Sequence, residues 1–172
     1  MEIDRIIITE EEIKKRVAEL GAQITEDYKG KELFIVGILK GATVFMSDLI
    51  RQIKLPLELD FMSLSSYGAS TNTSGVVRML RDLDREIAGK HILVVEDIVD
   101  TGLTLSYLRE SLMVRKPSSL KICTFLDKPS RRQVELQPDY CGIEIEDFFV
   151  VGYGLDFNEQ YRELPYIAVL RQ

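Results

Sequence analysis

The stretch HILVVEDIVDTGLT, residues 91–104, decides the fold. Residues 92–95 form a short apolar run rich in β-branched side chains, which is typical of a strand buried on both faces in an α/β protein. Glu96, Asp97 and Asp100 follow directly. Unpaired carboxylates are costly to bury, and adjacent residues of a regular strand point to opposite faces. We therefore expect the strand to end at Glu96 and Asp97, with its acids solvated or facing a cation.

Similar apolar runs alternate with helical patterns along the chain. A capping box at residues 9–12 precedes a helix whose apolar side chains keep helical spacing, namely Ile13, Val17, Leu20 and Ile24. The patterns also predict helices at 42–53 and 103–115 and strands at 33–39, 55–64, 76–80, 120–126, 148–151 and 166–170. Within residues 57–61, Leu59 is expected on the apolar face and Asp60 on the polar face.

This alternation predicts an α/β fold with a mainly parallel twisted sheet flanked by helices. Ligands of such sheets bind at the carboxyl ends of the strands. Lys40 and residues 96–102 fall at those ends. Topology alone therefore indicates a ligand site there.

Composition narrows the class of protein. The chain has 172 residues, of which 45% are hydrophobic and 29% charged, so we expect one globular domain over residues 1–172. The net charge of −6 argues against broad non-specific binding of nucleic acid. No apolar stretch approaches the ~20 residues of a membrane span, and no signal-peptide pattern is present, so a cytoplasmic location is expected. Cys123 and Cys141 lack metal-site spacing, and His91 is expected to be structural.

The turn at residues 101–104 combines a glycine with two threonine hydroxyls at a helix start. Free N–H groups and the helix dipole favour anions there. The upstream acids would repel an anion, unless the ligand carries a phosphate at one end and hydroxyls or Mg²⁺ at the other. The alternative is that Asp100 merely caps the helix.

The whole string VVEDIVDTGLT, residues 94–104, resembles the phosphoribosyl-pyrophosphate motif of type I phosphoribosyltransferases. LKG (39–41), SSYG (65–68), LDKPSRR (126–132) and FVVGYGLDFNEQYR (149–162) follow the order found in hypoxanthine-guanine phosphoribosyltransferases. The resemblance spans essentially the whole chain. It implies the type I fold, with a small hood formed by terminal segments. It also implies a pentosyltransferase of purine salvage, which uses Mg²⁺ and converts hypoxanthine or guanine to IMP or GMP as a homodimer or homotetramer.

The resemblance implies two groups of residues for the phosphorylated substrate. The phosphate groups would be bound by Thr101, Gly102, Leu103 and Thr104 at the 5′-phosphate and by Lys40, Gly41 and Arg162 at the pyrophosphate. Ribose hydroxyls and Mg²⁺ would be bound by Glu96 and Asp97, and a second Mg²⁺ by Asp156. In the family, the peptide bond before the lysine at position 40 can be cis.

A further set of residues would contact the purine. Asp100 resembles the family's catalytic acid–base residue beside purine N7. Lys128 matches the lysine at the 6-oxo group, although taken alone it could be a solvated loop charge. Phe149 would stack on the ring, the backbone of Val150 would contact its edge, and Ser66 and Tyr67 would lie on a mobile lid.

Two other functions remain open from the sequence. A xanthine-preferring transferase would differ in contacts to the purine 2-position, which the sequence does not specify. A nucleotide-sensing regulator on the same fold would need a basic surface to bind nucleic acid. The net negative charge and the complete set of matched site residues argue against the regulator.

Overall fold

The computed structural model of the protein describes residues 2–66 and 77–171, without the side chain of Ser66. Strands and helices follow one another as β1 (Ile3–Ile8), α1 (Glu10–Asp27), β2 (Leu33–Leu39), α2 (Thr43–Gln52), β3 (Leu57–Ser66), β4 (Val77–Arg81), β5 (His91–Val99), α3 (Leu103–Met113), β6 (Ser119–Asp127), a 3₁₀ turn (Pro129–Arg131), β7 (Tyr140–Glu144), β8 (Val150–Val151) and β9 (Ile167–Leu170). Within the described part, no helix is long and apolar enough to cross a membrane.

The main sheet has six strands in the order β4-β3-β2-β5-β6-β7. All its neighbours run parallel except β3 and β4, which are antiparallel. A second sheet, β1-β9-β8, joins segments from near both ends of the chain. The predicted mainly parallel sheet with a small hood is therefore confirmed, while β1 and β7 went unpredicted.

Helices cover both faces of the main sheet. The inward residues of α1 pack with Phe45 and Leu49 of α2 against Leu93 and Val95 of β5. On the other face, the apolar side of α3 packs against Ile92 and Val94. The predicted burial of the strand on both faces is confirmed. At the start of α1, Thr9 Oγ1 accepts a hydrogen bond from the Glu12 N–H at 3.2 Å, and the Glu12 carboxylate accepts one from the Thr9 N–H at 2.7 Å, as the capping box predicts.

The prediction that the strand ends at Glu96 and Asp97 is wrong, because β5 continues to Val99. Val99 is buried, and β5 keeps its pairing with β6 to the register pair Val99↔Asp127. The two acids are accommodated locally: the Asp97 N–H donates to Glu96 Oε1 at 3.1 Å, and the Ile98 N–H donates to Asp97 Oδ1 at 2.7 Å. Each of these two amides thus has a side-chain acceptor from the acid just before it.

The predicted faces of β3 are also wrong at two positions. Leu59 is 44% exposed, whereas Asp60 is only 8% exposed. Asp60 tolerates burial because its carboxylate accepts hydrogen bonds from the N–H groups of Phe61 at 2.7 Å and Asp84 at 2.8 Å, and Arg81 lies 3.5 Å away. These bonds tie β3 to the turn that follows β4.

The lone histidine and the cysteines have structural surroundings. His91 Nδ1 lies 2.7 Å from Ser119 Oγ. This contact is at the amino end of β5, opposite the sheet edge where the carboxyl ends of the strands lie. Both cysteines are free. Burial raises the pKa of the Cys123 thiol, and it raises that of Cys141 to about 11. Neither thiol is therefore ionised near neutral pH.

Candidate active site

A cleft opens where β2 and β5 separate. Their pairing ends at Gly37↔Val95, although β2 continues along β3 to Leu39 and β5 continues along β6 to Val99. The sheet grows in opposite directions from this pair of strands, and such a switch point is where open α/β sheets bind ligands. A cavity of about 470 Å³ lies there. Its lining includes many residues singled out from the sequence: Gly41, Glu96, Asp97, Asp100, Thr101, Gly102, Thr104, Asp156 and Arg162.

Glu96 and Asp97 lie in this lining, half-buried and in contact with each other. Burial raises the pKa of Glu96 well above its usual range, and the neighbouring Asp97 carboxylate raises it further. Burial also raises the pKa of Asp97, against an opposing effect of its hydrogen bond with Glu96. A cation at this point would relieve the repulsion between the two carboxylates.

Gly41 lies directly against Asp97. A Cβ atom added at Gly41 would collide with Asp97 Oδ2, so only glycine permits this approach. The peptide bond between Leu39 and Lys40 is cis, the geometry that the sequence left undecided. The loop after β2 and the acids of β5 therefore meet across the cleft.

The turn at residues 101–104 leads into a helix, as the sequence predicts. Gly102 is the N-cap of α3 with φ +83°, and the Leu103 N–H donates to Thr101 Oγ1 at 3.3 Å. The alternative that Asp100 caps this helix is wrong, because the cap is Gly102 and α3 has no side-chain cap. The positive φ of Gly102 favours glycine at this position, and an added Cβ would lie tightly, 3.1 Å from Arg132 Cδ.

Two arginines of the stretch LDKPSRR, for which the sequence predicts no role, hold Asp100. Arg131 Nε donates to Asp100 Oδ1 at 3.0 Å. Arg132 donates from NH1 to the Asp100 carbonyl at 2.9 Å and from NH2 to Asp127 Oδ1 at 2.7 Å. The side chains of Arg132 and Asp127 are only 13% and 2% exposed. Arg131 thus engages the carboxylate of Asp100, and Arg132 braces its backbone. The two adjacent arginines in LDKPSRR are the sequence feature from which these contacts with Asp100 could have been predicted.

Lys128 is buried rather than solvated, so its alternative as a loop charge is wrong. Its N–H donates to the Val99 carbonyl at 2.9 Å, and its Nζ lies 3.6 Å from Asp147 Oδ1. Arg131 NH1 also reaches Asp147, at 3.4 Å. Asp147 therefore links Lys128 to the arginine that binds Asp100.

Phe149 is 43% exposed and meets Phe157 edge-on, with ring centroids 5.8 Å apart. Val150 is buried in β8, opposite Val169. The neighbouring Phe148 packs against the core. An exposed aromatic face with a fixed backbone beside it is a suitable surface for a planar ring.

Asp156 and Arg162 also line the cavity. Arg162 NH2 lies 3.3 Å from Asp156 Oδ1 and 3.2 Å from Glu159 Oε1, while NH1 donates to the Gly154 carbonyl at 2.7 Å. Glu159 Oε2 also accepts a hydrogen bond from Lys40 Nζ at 2.8 Å. Glu159 was not singled out from the sequence, since nothing local distinguishes it from other exposed glutamates.

Some sequence-predicted residues lie outside the cavity lining or outside the described chain. The cavity lining does not include Lys40, Leu103, Lys128, Phe149 and Val150. Ser66 ends β3, and its side chain and Tyr67 fall outside the residues that the structure describes.

The available donors fit Mg²⁺ as an ion shared with a phosphorylated ligand. Among residues 2–66 and 77–171, no three His, Cys, Asp or Glu side chains converge as a protein-only metal site. Mg²⁺ is usually held by one or two carboxylates together with waters and substrate phosphates. The oxygen atoms of Glu96, Asp97 and Asp156 in the cavity lining suit that arrangement.

The sheet order, the glycine-led helix start and the carboxylates at the switch point define an α/β protein of the phosphoribosyltransferase class. The sequence model of the family described as "Phosphoribosyl transferase domain" matches residues 6–158, and the chain belongs to this family.

Its relatives specify the resemblance further. The chain is 53% identical to the hypoxanthine-guanine phosphoribosyltransferase of Bacillus subtilis, over 99% of this chain and 94% of the relative. It is 54% identical to the hypoxanthine phosphoribosyltransferase of Salmonella typhimurium, over 95% and 93%.

Comparison with solved structures supports the same family. The hypoxanthine phosphoribosyltransferase of Staphylococcus aureus superposes with a TM-score of 0.95 at 50% identity, covering 98% of this chain and 92% of that one. A hypoxanthine-guanine phosphoribosyltransferase of Bacillus anthracis gives a TM-score of 0.95 at 49% identity, covering 99% and 100%. The resemblance and the fold predicted from the sequence are confirmed.

Proposed function

We propose that the protein transfers the 5-phosphoribosyl group of phosphoribosyl pyrophosphate to hypoxanthine or guanine, forming IMP or GMP and diphosphate in purine salvage. One observation carries the proposal: a single cavity joins a helix start, the carboxylates of β5 and the Asp156–Arg162 pair. The helix start and the arginine in its lining suit the two phosphorylated ends of this substrate. The names of the relatives support the choice of purine.

The turn from Thr101 to Thr104 binds the 5′-phosphate in this proposal. Backbone N–H groups at the start of α3 and the two threonine hydroxyls donate to its oxygens. Leu103 contributes only its backbone amide, because its side chain is apolar.

Glu96 and Asp97 bind the ribose hydroxyls within the cavity. Their raised pKa values indicate that the free site disfavours two negative charges. Glu96 and Asp97 would hold one Mg²⁺ and Asp156 a second, and these ions would supply positive charge toward the diphosphate when bound. Ribose hydroxyls can donate to either carboxylate, so the pair orients the sugar for attack at its anomeric carbon.

Asp100 serves as the base for the purine. The bond between the anomeric carbon and the diphosphate oxygen breaks, a bond from that carbon to purine N9 forms, and the proton on N7 passes to the Asp100 carboxylate. Lys128 donates to the 6-oxo group and stabilises the charge that develops as the ring loses its proton. Phe149 stacks on the ring, and the Val150 backbone meets its edge.

Diphosphate binds to Lys40, the Gly41 backbone and Arg162. The planar guanidinium of Arg162 suits phosphate oxygens. Ser66 and Tyr67 form part of a lid that excludes water from the cationic sugar in this proposal.

The deciding experiment measures turnover of hypoxanthine, guanine and xanthine with phosphoribosyl pyrophosphate and Mg²⁺, with nucleotide and diphosphate quantified separately. We expect IMP and GMP to form in amounts equal to diphosphate, and xanthine to react more slowly. Faster turnover of xanthine would favour the xanthine-preferring transferase. Absence of turnover together with a gel shift of nucleic acid would favour the regulator.

The proposal also includes a single domain over residues 1–172, a homodimer or homotetramer, and a cytoplasmic location. Sedimentation velocity would measure the oligomeric state, and a monomer at assay concentrations would contradict that part. Cell fractionation would test the location.

A further inference from the structure

The carboxylate of Glu159 bridges two cations of the site. Its Oε2 accepts a hydrogen bond from Lys40 Nζ at 2.8 Å, and its Oε1 lies 3.2 Å from Arg162 NH2. Lys40 belongs to the loop after β2, whereas Glu159 and Arg162 belong to the segment between β8 and β9. One side chain thus joins two distant parts of the chain, with one oxygen on each cation.

The backbone around Glu159 is held in an unfavourable conformation. Asn158 and Glu159 have φ of +50° and +62°, and Tyr161 has φ of +80°. Non-glycine residues adopt this left-handed region at a cost, and they keep it where surrounding contacts hold them. The Glu159 N–H donates to Asp156 Oδ2 at 2.8 Å. The segment therefore directs the Glu159 side chain toward Lys40 while Asp156 fixes its backbone.

The bridge is suited to exchange. The Glu159 and Lys40 side chains are 63% and 68% exposed, so water competes for both. Exposed ion pairs contribute little stability. A polyanion that offers several oxygens to both cations can displace a single carboxylate.

We propose that Glu159 is an internal competitor of diphosphate: it occupies Lys40 and Arg162 in the free enzyme and is displaced when a diphosphate group binds. The inference rests on the proposed function, in which these two cations bind diphosphate. Glu159 then sets the affinity of the site for diphosphate, and its return to the cations favours release.

Calorimetric titration of inorganic diphosphate with Mg²⁺ into the full chain tests this proposal. Glu159→Gln keeps the shape of the side chain but removes its charge. The matched control is Glu163→Gln, which makes the same change of net charge at an exposed position of the same segment. We expect Glu159→Gln to bind diphosphate about two- to tenfold more tightly than the parent enzyme, as loss of one exposed and one partly buried ion pair would allow. Glu163→Gln should change the affinity by less than about twofold.

The outcomes separate the inference from the function on which it rests. If the parent enzyme binds diphosphate and Glu159→Gln binds it equally or more weakly, Glu159 is no competitor and the inference fails alone. Equal tightening by both variants would indicate a general charge effect and would also overturn it. If the parent enzyme does not bind diphosphate while Mg²⁺ is present, the proposed function fails as well. A product-inhibition constant for diphosphate provides a second readout, and it should fall in Glu159→Gln only.

Discussion

Arg131 Nε donates a hydrogen bond of 3.0 Å to Asp100 Oδ1, so the carboxylate proposed as the purine base already has a cationic partner in the free protein. Both side chains remain about half exposed, at 48% and 43%. The pair is therefore open to exchange. A purine N–H must share or replace the contact that Arg131 makes.

We expect Arg131→Ala to lower the KM for the purine, because the incoming N–H no longer competes with the guanidinium. The free energy of unfolding should change by less than about 1 kcal/mol, as is usual for exposed ion pairs. Steady-state kinetics at saturating phosphoribosyl pyrophosphate would measure the KM. Arg85→Ala removes an exposed arginine that also forms an ion pair, with Glu58, outside the cavity lining, and it serves as the control. A raised purine KM in Arg131→Ala alone would mean that Arg131 helps bind the base.

The neighbouring arginine should behave differently. Arg132→Met leaves the Asp127 carboxylate, which is 2% exposed, without its cation. Removing one partner of a buried ion pair typically costs about 3–5 kcal/mol. We expect a loss of unfolding free energy of that order in urea denaturation. Turnover should also fall, because the Asp100 carbonyl loses its donor at 2.9 Å. A stability equal to that of Arg131→Ala would contradict the assigned bracing role.

Asp100→Asn tests the base directly. Asparagine keeps the size of the side chain and can still accept a hydrogen bond from Arg131, but it cannot take the purine proton. General-base assistance contributes about 10²–10⁴ in rate, so kcat should fall within that range. Binding of phosphoribosyl pyrophosphate, followed by calorimetry, should change little. Near-normal turnover would remove Asp100 from the role of base.

The sequence was informative where a local pattern carried the physics. The apolar run before Glu96 predicted a doubly buried strand, and the position of residues 96–104 after it placed the site at the carboxyl edge of the sheet. The separation of β2 from β5 after Val95 could not be predicted, because it depends on which neighbour each strand keeps. The same holds for the burial of Asp60 and the Arg131–Asp100 contact. Both depend on partners more than twenty residues away in the chain.

The acid pair of β5 should make the stability of the metal-free protein depend on pH. The folded protein holds a proton on Glu96 more tightly than the unfolded chain, because burial raises its pKa well above the usual 4.5. The free energy of unfolding therefore falls as the pH rises from about 4.5 through the raised pKa. Glu96→Gln should flatten this fall and raise the melting temperature near pH 7.5. Scanning calorimetry in EDTA would measure both, and a steeper fall in the variant would contradict the sign.

Gly41→Ala should impair the site by occupying space rather than by straining the backbone. An added Cβ would collide with Asp97 Oδ2, so the carboxylate or the loop after β2 must move. Overpacking of this kind costs about 1–3 kcal/mol, and we expect kcat/KM for phosphoribosyl pyrophosphate to fall at least about tenfold, since an ångström-scale shift at a site has effects of that order. Gly30→Ala is the matched control: Gly30 has φ +75° and nothing within 4 Å of its added Cβ. It should cost about 1–2 kcal/mol through backbone strain alone, with kcat/KM unchanged. Equal activity losses in the two variants would attribute the effect to general destabilisation instead of the Gly41–Asp97 contact.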